Sequence, residues 1–165
     1  MLPYFPGRYH LAYFVFFSAL IVSIRSDLET MLISRYVTVF LIPLGLLFTA
    51  TGLLPISIES SMAGTLLGYG SLYIASKSFF WITGKEGIGQ GDLELLAFIG
   101  SFVGLAGCWV TLFMAAVIGS IFGVMYITLS GKNREVRIPF GPFLALSAML
   151  YVLFQKQILF YMFGF

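Results

Sequence analysis

Residues 87–130 read GIGQGDLELLAFIGSFVGLAGCWVTLFMAAVIGSIFGVMYITLS, a glycine-rich polar stretch that ends at Asp92 and opens a long apolar run. A helix that crosses a membrane needs about 20 mostly apolar residues. We therefore predict two helices here, at 92–107 and 109–130, with a tight turn or a bent continuous helix at Gly104 to Cys108. A carboxylate inside a membrane helix costs roughly 2.5 to 3.5 kcal/mol, so Asp92 is a candidate functional residue.

The composition of the chain extends the membrane interpretation to all 165 residues. Hydrophobic residues make up 59% of the chain and charged residues only 10%, whereas soluble domains carry about 25% charged residues. We predict one integral membrane domain over residues 1–165. The nine basic residues are scattered, so nucleic-acid binding is not expected. Cys108 is the only cysteine, which excludes an intrachain disulfide and a cysteine-cluster zinc site.

Apolar runs along the chain predict an all-α, polytopic membrane bundle of about six transmembrane helices. These runs lie near 10–25, 36–55, 61–82, 92–107, 109–130 and 139–162. The first run lacks a clear small-x-small cleavage site, so we expect a retained helix rather than a signal peptide. Close helix packing is predicted by glycine pairs with three residues between them; the pairs are Gly64 and Gly68, Gly100 and Gly104, and Gly119 and Gly123.

Basic residues predict the direction of these helices. The connections after the first, third and fifth helices share one side of the membrane. They hold most of the basic residues, namely Arg25, Arg35, Lys85, Lys132, Arg134 and Arg137. The positive-inside rule places these connections in the cytoplasm and both termini outside it. Asp27 closes the first apolar run and Asp92 opens the fourth, so both lie on the predicted cytoplasmic side and can meet.

A pair of carboxyls that shares one proton can hydrolyse a peptide bond. Like charges a few ångströms apart cannot both be ionised, so one acid stays protonated while the other acts as a base. The base deprotonates a water that attacks the scissile carbonyl, and the acid protonates the leaving amine. Gly87, Gly89 and Gly91 favour this role for Asp92, because glycine lets a substrate strand approach without side-chain obstruction.

Simpler interpretations apply to the same acids. Asp27 has Arg25 and Arg35 nearby in the sequence, and an acid at a membrane boundary is often a solvated helix cap or the partner of an arginine. Glu29 and Glu94 are rival acids. Each lies roughly 200° around a helix from its neighbouring aspartate, so one helix face rarely holds both acids.

Two prolines open the last apolar run, where residues 138–143 read IPFGPF. One interpretation is a plain helix start, where proline is tolerated. The other is an irregular entry beside the acids, because irregular backbone at membrane depth usually lines a cavity. The sequence leaves both open.

These stretches resemble the type IV prepilin peptidases, membrane aspartyl proteases of the Gly-x-Gly-Asp class. Residues 84–92, GKEGIGQGD, are similar to the family signature G-[KR]-E-G-[MI]-G-x-G-D. Residues 27–33, DLETMLI, and the IPFGPF stretch are similar to two further family motifs, in the same order. The resemblance implies that Asp27 and Asp92 form the catalytic pair. The candidates for shaping the site or binding substrate are Gly89, Gly91, Glu29, Glu94, Pro139 and Gly141.

The resemblance also implies the reaction and its setting. The expected activity is removal of the leader peptide of type IV prepilins or pseudopilins, at the cytoplasmic face of the bacterial inner membrane and in contact with membrane lipid. No metal or organic cofactor is expected, and the oligomeric state is not indicated. Glu94 and Ser34 depart from the family pattern, which usually has lysine and proline there. Because the larger methylating members carry an N-terminal paired-cysteine region, we expect cleavage without methylation.

A second class of function fits the same composition. It is a non-enzymatic membrane assembly factor or a small transporter, in which the acids bind a cation or a partner helix. A catalytically degenerate relative that binds prepilins without cutting them is a narrower version, motivated by Glu94. The glycine–aspartate stretch favours the peptidase, and cleavage of a prepilin by purified protein separates the two classes.

Overall fold

Five α-helices and one short 3-10 turn make up the described part of the chain. The computed structural model describes residues 7–31, 35–85, 87–130 and 139–163. The turn Gly7–Tyr9 leads into α1 (His10–Thr30), and the chain continues through α2 (Arg35–Ala50), α3 (Ile58–Thr83), α4 (Gln90–Ser130) and α5 (Gly141–Phe163). Within these ranges no strand occurs. The all-α prediction is confirmed.

Helix α4 consists of two segments that meet at Gly104. This glycine has φ 75° and ψ −174°, a backbone conformation that is essentially restricted to glycine. The Sγ of Cys108 lies 4.0 Å from the carbonyl oxygen of Leu96, 12 residues earlier, whereas 12 residues of straight helix span about 18 Å. The chain therefore turns back at Gly104. Of the two connections that the sequence left open, the structure has the tight turn.

The first segment of α4, residues 90–103, forms the centre of the bundle. Its residues are buried without interruption from 93 onward, so other elements surround it on every side. It runs antiparallel to α3, and a Cβ added at Gly68 would stand 2.5 Å from the carbonyl oxygen of Leu96. The Ser61 hydroxyl donates to the carbonyl of Ser101 at 2.6 Å. Close backbone approach between α3 and α4, predicted from the glycine pairs, is confirmed at this crossing.

Aromatic side chains join the remaining helices to this central segment. The ring centroids of Phe16 on α1 and Phe102 on α4 are 5.1 Å apart. Phe48 on α2 meets the same Phe102 ring edge-on at 6.1 Å. On the far side, a Cβ at Gly107 would contact Tyr151 of α5. Helices α1 and α2 therefore pack against the end of the central segment, and α5 packs beside the turn that follows it.

Within the described residues, three helical stretches have the length and apolar composition to cross a membrane, namely Gly7–Thr30, Gln90–Tyr126 and Gly141–Tyr161, and the second of them contains the reversal at Gly104. Thr38–Ala50 is a shorter apolar helix. The outer surface carries many large apolar side chains, such as Phe14, Leu66 and Ile82, as expected of helices that face lipid. A membrane helix bundle is consistent with these features. The six crossings and their direction stay predictions, and Lys132, Arg134 and Arg137 lie outside the described residues.

Candidate active site

Asp27 lies near the end of α1 and is only 5% exposed. Its Oδ2 accepts a hydrogen bond of 3.1 Å from the backbone N–H of Gly141. Gly141 is the first residue of α5, and the first N–H groups of a helix have no partner within that helix. The carboxyl group of Asp27 therefore occupies the N-terminus of α5, where the helix dipole stabilises negative charge.

Asp92 lies in the first turn of α4 and is 9% exposed. Its backbone N–H donates to the carbonyl of Gly89 at 3.1 Å. A Cβ at Gly89 would stand 3.4 Å from Oδ2 of Asp92, so the carboxyl group rests against the backbone of the glycine stretch. Gly91 is the second residue of the same helix. The glycines thus make the turn that places Asp92 at the start of α4.

The two aspartates approach each other from different helices. The charge of Asp27 acts on the carboxyl group of Asp92, and both side chains are buried. The end of α1, the first turn of α4 and the first residue of α5 therefore meet at one place. Of the predicted site residues, the structure brings together Asp27, Asp92, Gly89 and Gly141.

Glu29 points away from this place. It is exposed and forms an ion pair of 2.8 Å with Arg25, one turn earlier on α1. Exposed pairs of this kind contribute about 0–1 kcal/mol. The opposite orientation of Asp27 and Glu29 follows from their spacing on a helix. The Arg25 partner considered for Asp27 is therefore engaged with Glu29 instead, and the Arg35 side chain lies outside the described part.

Glu94 is buried, at 4% exposed, but it faces a different neighbour from Asp92. The Thr38 hydroxyl of α2 donates to its Oε2 at 3.4 Å. The two acids of this helix turn are thus both inside the bundle, with Glu94 directed to α2. Ser34, where the family pattern usually has proline, lies outside the described residues.

Residues 139–143 form both a helix start and part of the site. The carbonyl of Phe140 accepts the N–H groups of Phe143 at 3.0 Å and Leu144 at 3.2 Å, so Phe140 caps α5 and Pro139 stands just before it. The contact from Gly141 to Asp27 spans 114 residues of sequence, and the sequence analysis did not identify it. The signal in the sequence was a glycine between two prolines at a helix entry.

The described residues contain no group of three or more His, Cys, Asp or Glu side chains placed to hold a metal ion. The chemistry that the arrangement offers is that of two buried carboxyl groups. One carboxyl with a proton and one without can exchange that proton with a water molecule between them.

Comparison with known proteins gives one family and several relatives. The sequence model of the type IV leader peptidase family matches residues 14–128, a range that contains both aspartates. The prepilin leader peptidase/N-methyltransferase of Aeromonas salmonicida (strain A449) is 34% identical over 132 residues, which are 80% of this chain and 45% of the relative. The protein of the same name from Pseudomonas aeruginosa is 33% identical over 132 residues, with the same two shares, 80% and 45%.

A third relative with that name, from Pectobacterium carotovorum subsp. carotovorum, is 30% identical over 144 residues, or 87% of this chain and 51% of the relative. The chain thus spans about half the length of the curated relatives it matches. No solved structure matches the chain.

Proposed function

The chain belongs to the type IV leader peptidase family, and we propose that it is an intramembrane aspartyl endopeptidase that removes the leader peptide of type IV prepilins or pseudopilins. The observation that carries the proposal is the burial of Asp27 and Asp92 within electrostatic reach of each other, inside the range that matches the family. Burying a carboxylate in an apolar bundle costs free energy, so two buried acids side by side indicate a function. Two neighbouring carboxyl groups that share one proton are the catalytic groups of aspartyl proteases.

In the proposed reaction, Asp27 and Asp92 hold one proton between them. The ionised carboxylate takes a proton from a water molecule, whose oxygen attacks the scissile carbonyl carbon. The protonated carboxyl gives its proton to the carbonyl oxygen, so a gem-diol forms. As the gem-diol collapses, the ionised carboxylate takes a proton from one of its hydroxyl groups, the C–N bond breaks, and the protonated carboxyl gives its proton to the leaving amine. Water is consumed and the pair recovers its single proton, so the two acids act as a unit.

The surroundings of the pair suit this chemistry. Little water reaches the two carboxyls, and low dielectric strengthens the coupling between neighbouring charges. The backbone before Asp92 is open at Gly89, where among the described residues only Asp92 comes within 4 Å of the point that a Cβ would occupy, whereas the ring of Phe79 covers Gly87. We propose that the peptide backbone of the substrate passes along this stretch to reach the acids.

We also propose that the site faces the cytoplasm from the bacterial inner membrane. Basic residues are concentrated in the connections on the side of the two aspartates, and the positive-inside rule assigns that side to the cytoplasm. Type IV prepilins and pseudopilins are the proposed partners, since the relatives that the chain matches are named prepilin leader peptidases.

Substitution of the aspartates tests the proposed function. Asp27→Asn and Asp92→Asn are each expected to lower cleavage of a prepilin by purified protein in detergent at least about 10³-fold, since removal of one member of a catalytic unit has effects of this size. Leader removal is followed on gels. Glu29→Gln is the matched control on α1, because Glu29 is exposed, and it should cleave at nearly the wild-type rate. Glu94→Gln should have a milder effect than either aspartate variant.

Three outcomes would decide against the peptidase. Cleavage at wild-type rates by both asparagine variants would remove the role of the pair. A wild-type protein that binds prepilins without cutting them would be a degenerate relative. Cation flux into proteoliposomes without any cleavage would favour the transporter.

A further inference from the structure

Few backbone N–H donors are present at the start of α5. Proline has no N–H, so residues 139–142, which read PFGP, carry backbone N–H groups only at Phe140 and Gly141. Phe140 is the N-cap residue of α5, and its carbonyl oxygen accepts hydrogen bonds from backbone N–H groups of the first turn. Gly141 is the position of this stretch whose N–H donates to Asp27.

The contact with Asp27 involves the main chain of residue 141, which lies inside the bundle. Gly141 is buried, and the carboxyl of Asp27 comes within 3.1 Å of its nitrogen. Gly141 is not among the glycines with positive φ, which are Gly52, Gly84 and Gly104 in the described residues. A left-handed backbone therefore does not explain the glycine, and the contact of this residue with Asp27 is made by its main-chain nitrogen.

We propose that Gly141 is a positioning residue of the peptidase site, whose backbone N–H fixes the carboxyl group of Asp27 for reaction with Asp92 and water. This inference rests on the proposed function. Because Oδ2 accepts the Gly141 N–H, one of its lone pairs is occupied, and the remaining lone pairs of the carboxyl are held in a fixed direction for the shared proton. The start of α5 thereby sets the rotation of the Asp27 carboxyl, and the role belongs to a main-chain group.

Proline at residue 141 removes the donor with little change to the helix. Proline is favoured at the first position of a helix, and the residue before it prefers extended backbone, which is also usual for a cap residue. Gly141→Pro therefore lacks the N–H, and Gly141→Ala keeps it while adding a Cβ. Gly141→Ala controls for the added Cβ, and in Gly141→Pro the ring Cδ replaces the amide proton, so the carboxyl of Asp27 loses its donor and is moved from its place.

The test measures kcat and KM for a prepilin with both variants in detergent. Loss of a group that only orients a reacting carboxyl lowers kcat and leaves KM unchanged, and a displacement of about 1 Å can cost about 10²-fold. We expect Gly141→Pro to lower kcat about 10- to 100-fold with KM within about twofold of wild type. Gly141→Ala should retain more kcat than Gly141→Pro.

Wild-type kcat in Gly141→Pro would overturn the inference, and so would equal losses in the proline and alanine variants. If Gly141→Pro does not fold, the amide is followed by NMR in glycine-labelled protein, with its signal assigned as the one absent from Gly141→Ala. The amide proton should shift in Asp27→Asn, because an amide replaces the carboxylate acceptor, and an unchanged shift would contradict the inference. Activity in both aspartate-to-asparagine variants would instead reject the proposed function.

Discussion

Two hydroxyl groups in the bundle have no partner within the described residues. Thr111 on α4 and Ser147 on α5 are fully buried, and neither side-chain oxygen forms a hydrogen bond. Gly107 on α4 lies against Tyr151 on α5. Thr111 comes four residues after Gly107 and Ser147 four residues before Tyr151, so the two hydroxyl groups are expected at the same level along the two helices. A buried polar group without a partner carries its full desolvation cost.

Replacement of Thr111 by valine is therefore expected to stabilise the protein. Thr111→Val keeps the shape of the side chain and removes the unsatisfied oxygen, for a gain of about 1 kcal/mol in the free energy of unfolding. The matched control is Thr49→Val, because Thr49 is also buried in a helix but donates to the carbonyl of Gly45 at 3.0 Å. That variant should lose stability. Unfolding in mixed detergent micelles measures both changes, and a destabilised Thr111→Val would contradict the prediction.

The residues of the site differ in how far the sequence could predict them. Asp92 was identifiable because three glycines precede it at the mouth of an apolar run. Its surroundings depend on contacts between distant parts of the chain, such as the N–H of Gly141 on Asp27. Hydropathy and local spacing contain no term for such contacts. For the same reason the sequence did not predict that Glu94 faces Thr38 of α2.

Among the helices, the pair formed by α3 and α4 has a very close backbone approach. A Cβ added at Gly100 would collide with the backbone of Gly64 and would lie 2.9 Å from the nitrogen of Thr65. Because these neighbours are main-chain atoms, no rotamer change relieves the collision. The helices must separate to admit a side chain.

Gly100→Ala is accordingly expected to lower the free energy of unfolding by about 1–3 kcal/mol, as overpacked cores do. Gly70→Ala is the matched control, since Gly70 lies within α3 with nothing within 4 Å of the added Cβ. Alanine favours a helix over glycine by up to about 1 kcal/mol, so the control should gain stability. Unfolding midpoints of the two purified variants compare them directly. Equal effects on stability would show that the crossing is looser than described.

The boundaries of the helices show what apolar runs can and cannot predict. Each predicted run overlaps a helical segment, because about 20 consecutive apolar residues are typical of a helix in a membrane. Helix α1 nevertheless continues to Thr30, past its predicted end at residue 25. Hydropathy shows where polar residues begin, whereas a helix ends where its backbone hydrogen bonds end. The start of α3 at Ile58 is set by the Ser57 side chain, which accepts the N–H of Ser60, a cap that the apolar pattern does not reveal.

For the whole molecule, the predicted direction in the membrane is testable with single cysteines. Glu59 near the start of α3 and Lys85 after its end are both exposed, whereas Cys108 is 0% exposed. In intact spheroplasts, a membrane-impermeant maleimide should label Glu59→Cys. Lys85→Cys should be labelled only after permeabilisation, because the positive-inside rule assigns it to the cytoplasm. The wild-type protein is the control and should remain unlabelled, and the reverse pattern would invert the topology.

The reversal at Gly104 has a consequence for how a peptide reaches the acids. Residues 90–103 form a helical segment of about 21 Å, shorter than the roughly 30 Å of hydrocarbon in a bilayer. The reversal lies beside Ser60, near the start of α3, and the segment alone is too short to cross the hydrocarbon from one surface to the other. We therefore predict that the two carboxyls, at the start of this segment, lie below the level of the phospholipid headgroups, so that an incoming chain must descend to them or the leaflet must thin around them.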